Sequence, residues 1–289
     1  MTHVKKSLEL YHAAESICSE RVRMTLYEKH IIDWVDRPML LFEDEQFAKK
    51  YLKLNPKAQV PTLVHDGHVV RESSIICNYL DDIFPQKSLK PVSPHSRANM
   101  QEWIKGSDEE LYQAVSSLSF SMVFRDRLNR MSGEAREGHF MKQTEIDRTH
   151  RQRSCVADGM SSPYVLRAVA AWENLLQKLE AVLEKDGPWI LGDQYSLVEI
   201  ALGPFFMRVQ DLQILPIWMQ ERPLTVQWWN EVQRRSNFIM AQVGVGSDKL
   251  KEYELAADKY GSKIRSLRDW YVEDPIDCGR AFKIDKGVL

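Results

Sequence analysis

The stretch Gln59-Val60-Pro61-Thr62-Leu63-Val64-His65-Asp66-Gly67-His68-Val69-Val70-Arg71-Glu72-Ser73 decides the fold. Two short apolar runs, Thr62 to His65 and His68 to Arg71, flank Asp66-Gly67. Asp-Gly suits a two-residue hairpin turn, whose central residues take positive φ. Ser73 then opens a run to Phe84 with Ile76, Tyr79, Leu80 and Ile83 on one helical face, stopped by Pro85. The unit is ββα.

Working outward, Leu8-Glu9-Leu10-Tyr11-His12 reads as a strand, and Val22 to Lys29 as a helix with Val22, Leu26 and Lys29 on one face. Asp33 to Arg37 alternates as a strand should, and Phe42 to Leu54 reads as a helix closing near Asn55-Pro56. Residues 1–85 therefore make a βαβαββα domain. The Pro, Ser and Lys-rich residues 86–96 read as a linker. Beyond them strand signals vanish, and an all-helical domain is expected over 97–244, followed by an extension over 245–289. Val165, Ala168, Trp172, Leu175, Leu176, Leu179, Val182 and Leu183 form one apolar stripe, read as core, that Gly187-Pro188 breaks. Ser196 and Glu199 make a capping box with Tyr195 and Ile200 as its staple. The polar stretch Met131 to Ser162 reads as a solvated face or loop; the alternative is that Arg148, Arg151 or Arg153 faces an anion. In the extension, Tyr253, Tyr260, Trp270 and Tyr271 are enough aromatics to pack on something, and Val272 to Leu289 reads as irregular.

The junction Glu15-Ser16-Ile17-Cys18-Ser19-Glu20-Arg21-Val22-Arg23 carries the candidate chemistry. Hydroxyl and thiol groups gather where a strand meets a helix, and unpaired N–H groups and the helix dipole favour an anion there. A thiolate fits: a free thiol has a pKa of about 8.5, and helix N-termini lower it. The plain alternative is that Ser19 and Glu20 start a helix and Cys18 is a small buried hydrophobe.

The chain has 289 residues and a formal charge of −2, which gives no electrostatic case for nucleic acid. Its four cysteines are widely spaced, with no metal-ligand pattern. No apolar run suggests a membrane span, and no secretory signal is read at the start, so a cytoplasmic, reducing location is expected.

Several motifs together resemble the glutathione transferases: Ser16-Ile17-Cys18-Ser19-Glu20-Arg21-Val22-Arg23 is similar to the S-x-C-S-x-R-V-R signature of their zeta-type branch. Gln59-Val60-Pro61-Thr62-Leu63 resembles their V-P-x-L element with a cis proline, Glu72-Ser73 their acidic-Ser pair, and Ser196-Leu197-Val198-Glu199 their capping box, with Glu in place of Asp. Within the family the chain looks most like bacterial lignin β-aryl-etherases and tetrachlorohydroquinone reductive dehalogenases. The 59–80 region and the Met131–Arg153 insertion resemble the former, and Ser16 to Ser19 the latter.

The resemblance implies a thioredoxin-like α/β N-terminal domain, an all-α C-terminal domain, glutathione as co-substrate and a homodimer. Ser16, Cys18 and Ser19 are the catalytic candidates, with Cys18 a bystander or a resolving thiol. A cis Pro61 would turn the Val60 backbone outward to pair with a peptide; the alternative is a trans proline opening a strand. Ser73 would hold a carboxylate or simply cap its helix, Glu72 would take an ammonium, and Lys57 and Gln59 would reach the remaining polar groups. An aromatic electrophile is expected in a pocket shaped by Trp103, Tyr112, Phe120 and Phe124. No metal is implied.

Overall fold

The computed structural model describes residues 8–242 and 247–276. Its first unit is built from β1 (Leu8–His12), α1 (Ile17–Glu28), β2 (Val35–Pro38), α2 (Lys49–Leu54), β3 (Thr62–His65), β4 (His68–Arg71) and α3 (Ser73–Ile83). The sheet order is β2-β1-β3-β4; β2 runs parallel to β1, while β3 and β4 run antiparallel to their neighbours. Leu10 of β1 lies opposite Leu63 of β3, and Leu63 opposite Val70 of β4. Asp66 and Gly67 both take positive φ, as the hairpin turn requires. This is the mixed four-stranded sheet of a thioredoxin-like domain.

The expected helix over 42–54 is a correction: α2 starts only at Lys49, after two single 3₁₀ turns at Leu41–Glu43 and Glu45–Phe47. Asp44 between them sits in the left-handed region (φ 61°), and Ala48 is extended. Asp44 is held there from outside, by His139 at 2.8 Å and Lys142 at 2.5 Å. Tertiary ion pairing thus overrides the apolar period.

The second unit is helical throughout. It opens with α4 (Pro94–Gly106), α5 (Tyr112–Ser119) and α6 (Arg125–Asn129), stacked through π-helical turns at Ser107–Leu111 and Phe120–Phe124. Helix α4 begins inside the segment read as linker, because Ser93 caps it and Pro94 suits its first turn. Next come α7 (Gly133–Met141), α8 (Ile146–Asp158), α9 (Pro163–Asp186), α10 (Leu197–Asp211), α11 (Pro216–Met219), α12 (Pro223–Arg234), α13 (Ser236–Ala241) and α14 (Ser247–Glu273).

The apolar stripe of α9 is core: Val165, Ala168, Trp172, Leu176, Leu179 and Leu183 are buried. Trp172 meets the Phe206 ring edge-on at 5.1 Å, and Phe206 meets Trp228 at 4.9 Å. Such ring pairs add about 0.5–1.5 kcal/mol beyond the area they bury. Both halves of the Ser196–Glu199 capping box are present, with Tyr195 and Ile200 buried beside it.

Two expectations change here. Residues 131–162 form helices whose Thr149, Arg151, Gln152 and Cys155 are buried, not a solvated loop. The extension carries the 27-residue α14, whose Tyr253, Tyr260 and Ile264 are buried in the shared core. Val272 is helical rather than irregular; residues 277–289 of that expectation lie outside the described residues.

Helix α1 is the keel between the units. Ser19, Glu20, Arg21, Arg23, Thr25 and Glu28 are all buried, although the helix reads as polar. The second unit takes up the arginine charges: Arg21 donates to the Ala201 carbonyl at 2.9 Å, to Ser107 at 2.9 Å and to Asp108. Arg23 donates to the Ala241 carbonyl at 2.9 Å, and Glu28 accepts from Lys87 and Arg235 at 2.7 and 2.6 Å. Buried charge is tolerated only when paired in this way.

Candidate functional site

The residues leading from β1 into α1 open onto a cavity of about 460 Å³ between the two units. That volume is within the range of small-molecule sites, roughly 300–1,000 Å³. Ala13 to Cys18, Met39 to Glu43, Gln46, Phe47 and Lys57 to Val60 line it from the first unit. Helices α5 to α8, α10 and α14 supply the remainder.

Ser16 is the N-cap of α1. Its Oγ accepts the Ser19 N–H at 3.2 Å, which leaves the hydroxyl hydrogen to donate elsewhere. Half-buried on the cavity wall, it stands where the helix dipole favours negative charge. Ser19 differs: fully buried, its Oγ accepts the Ala13 N–H at 3.2 Å, so it braces the loop and does not line the cavity. Cys18 does line the cavity, but burial pushes its thiol pKa up, against the opposing pull of Arg21 and Ser73. Of the two sequence readings of this thiol, an activated anion or a small buried hydrophobe, the desolvation at Cys18 favours the second.

The wall opposite is Lys57-Ala58-Gln59-Val60, ahead of a cis Val60-Pro61 peptide. The Gln59 carbonyl accepts from Tyr51 Oη at 2.5 Å and Asn55 Nδ2 at 2.8 Å, which fixes the turn. Lys57 Nζ lies 2.9 Å from Glu72 and 3.8 Å from Glu145, and Gln59 Nε2 donates to Glu145 at 2.7 Å. Ser16, Cys18, Lys57, Gln59 and Val60 thus share one cavity. Pro61, Glu72 and Ser73 lie behind or beside its wall: Glu72 reaches the rim through Lys57, and the buried Ser73 hydroxyl accepts from Arg21 at 3.4 Å.

The apolar end is aromatic. Phe42, Phe124 and Phe120 form a chain of edge-on rings 5.4 and 5.2 Å apart, and Tyr112 lines the same cavity. Arg127 lies over Phe42 and Phe124 at 5.2 and 5.3 Å, and Arg208 over Phe124 at 5.6 Å. Arg127 is tied to Glu15 at 3.0 Å and to Glu252 of α14 at 2.6 Å, linking three distant segments. Trp103 is not in this pocket; it is buried elsewhere, beneath Lys178 Nζ at 4.1 Å from its ring. The change has a simple cause: Trp103 lies on a buried face of α4, whereas Tyr112, Phe120 and Phe124 lie beyond the first π turn.

Sequence reasoning missed Phe42, Arg127, Arg208, Gln152 and Glu252. The unpatterned apolar run Met39-Leu40-Leu41-Phe42 was the one available signal for Phe42; the others required the packing of helices distant in sequence. Among the described residues no group of three His, Cys, Asp or Glu side chains could hold a metal ion, and no helix is long and apolar enough to cross a membrane.

Residues 10–88 match the glutathione S-transferase N-terminal domain model, and residues 149–236 match the C-terminal domain model. Protein LigF of Sphingobium sp. strain SYK-6 is 32% identical over 197 residues, 67% of this chain and 76% of that protein. Tetrachloro-p-hydroquinone reductive dehalogenase of Sphingobium chlorophenolicum is 26% identical over 245 residues, 82% of this chain and 96% of its own. The crystal structure of the β-etherase LigF from the same Sphingobium strain superimposes with a TM-score of 0.73 at 27% identity, covering 81% of this chain and 98% of that one.

Proposed function

Since the chain belongs to the glutathione S-transferase family, we propose that it activates the glutathione thiolate at Ser16 and aims it at an aromatic electrophile, cleaving a β-aryl ether. The observation that carries this is Ser16 itself: a capping hydroxyl that accepts the Ser19 N–H, lines the cavity and keeps its hydrogen free to donate. A hydrogen bond to the charged form lowers the thiol pKa. Lys57, Gln59 and the Val60 backbone would hold the tripeptide, with Glu72 at the rim through Lys57 and Ser73 behind the wall. The aromatic end of the cavity suits the two rings of an aryl ether.

In the reaction the sulfur forms a bond to the carbon bearing the ether oxygen. The C–O bond breaks, its electron pair leaves on the phenolate, and the phenolate takes a proton from water. Neither a metal nor a bound prosthetic group takes part. A second reading, reductive dehalogenation with Cys18 resolving a mixed disulfide, is favoured by Cys18 on the same wall and by the dehalogenase similarity. We place the protein in the cytoplasm and expect a homodimer.

Incubation with glutathione and a model β-aryl ether is the test. Glutathione loss matched by phenol release supports the etherase. Isomerised substrate with glutathione unchanged would point to a zeta-type isomerase. Retention on glutathione resin without turnover would mean a binding protein that has kept the fold.

A further inference from the structure

The cations of the cavity each have a carboxylate or carbonyl partner among the described residues, except on α8, although Arg127 Nη2 and Arg208 Nε are themselves unpartnered. Arg127 holds Glu15 and Glu252, Arg208 donates to the Glu15 carbonyl at 2.6 Å, and Lys57 is between Glu72 and Glu145. Arg148 lines the cavity, yet among the described residues it has no carboxylate partner, and its buried Nε has no hydrogen-bond partner. Arg151, one turn on, is 6 % exposed and likewise unpaired, with its Nε also buried and unpartnered. An arginine taken out of water without a counter-ion is costly, so an anion reaching this pair would meet charge that no carboxylate of the described residues already holds.

Position says what that is. Glu145, the N-cap of α8, meets the Lys57–Gln59 wall, so the tripeptide side of the cavity is at the start of the helix. Arg148 follows it by three residues, about 4.5 Å further along the axis and on the same face. Arg151 continues that row. Helix α8 there packs on α5 and the Phe120–Phe124 turn, the aromatic end. Arg148 lines the same cavity as Ser16, Cys18 and Tyr112, and Arg151 stands behind it, outside the lining.

Building on the transferase reading, we propose that Arg148, with Arg151 behind it, forms an anion subsite that selects aromatic electrophiles bearing a carboxylate. Arg148 makes the direct contact, and Arg151 raises the local potential. Both are specificity residues and neither takes part in bond breaking.

The test uses two β-aryl ethers identical except that one carries an aryl carboxylate and the other its carboxamide. The wild type should show the lower KM for the acid. Arg148→Ala should raise that KM on the order of tenfold or more, as loss of a charged hydrogen bond does. It should leave the amide, and the KM for glutathione, unchanged. Equal loss on both ethers, or a raised KM for glutathione, overturns the proposal.

A binding arm stands apart from turnover. Benzoate at millimolar concentration, with saturating glutathione present, should raise the melting temperature of the full chain, whereas benzamide should not. Arg148→Ala and the size-matched Arg151→Met should each lose the benzoate response. Loss of the response when glutathione is added would assign the pair to the tripeptide and overturn the proposal. If neither ether turns over but the benzoate response holds, the transferase reading fails while the anion subsite stands.

Discussion

Replacing Glu20 by glutamine should remove a stability cost that grows with pH. Glu20 lies on the first turn of α1, is 8 % exposed and accepts a hydrogen bond from Gln242 Nε2 at 2.7 Å. Burial pushes its carboxyl pKa from 4.5 up to about 7, against the pull of Arg23, Gln242 and Arg208. In the unfolded chain the group ionises near 4.5, while in the folded protein it holds its proton until about 7. Between those values the native state binds more protons, so stability falls as pH rises. The gap, at ~1.4 kcal/mol per pH unit, sets the loss at about 3 kcal/mol once the pH exceeds both.

Glutamine keeps the shape and the acceptor oxygen but never ionises. The variant should match wild type near pH 4 and gain on it steadily to pH 8. For a chain of this size that gain is roughly 5–10 °C in melting temperature. Thermal melts of both proteins in matched buffers at pH 4, 5, 6, 7 and 8 measure it. A difference between the two proteins that is constant across the series, or smaller at pH 8 than at pH 5, would refute the assignment of a buried, neutral Glu20.

Three further outcomes are expected. Ser16→Ala should slow glutathione transfer roughly ten- to a hundredfold at pH 7 but much less at pH 9, where the free thiol ionises unaided; equal loss at both would argue against thiolate stabilisation. Cys18→Ser should leave ether cleavage within about twofold in a kcat comparison, since the raised thiol pKa keeps it protonated; only a reductive dehalogenation, if present, should disappear. Glu145→Ala should release Lys57 and Gln59 and lower the KM for glutathione about twofold to fivefold, a modest effect because the Lys57 pair is half exposed; a raised KM would instead make Glu145 a direct ligand.

Local chemistry made much of this protein legible from sequence. Asp66-Gly67 allows positive φ, Ser16 and Ser196 cap helices, and Trp172 and its neighbours repeat at the helical period. Each of these rules acts over a few residues, so the βαβαββα order, the later all-helical run and the Ser16 junction could be read directly. What could not be read depends on residues far apart in the chain. Asp44 breaks the expected helix because His139 and Lys142 hold it from α7. Polar α1 is buried because the carbonyls of Ala201 and Ala241 receive its arginines. Phe42, Phe124, Arg127 and Glu252 become one wall only once α14 folds back over the first loops. Burial also weighs between the two readings open for Cys18, because a local dipole can be read from sequence but desolvation is a property of the packed whole.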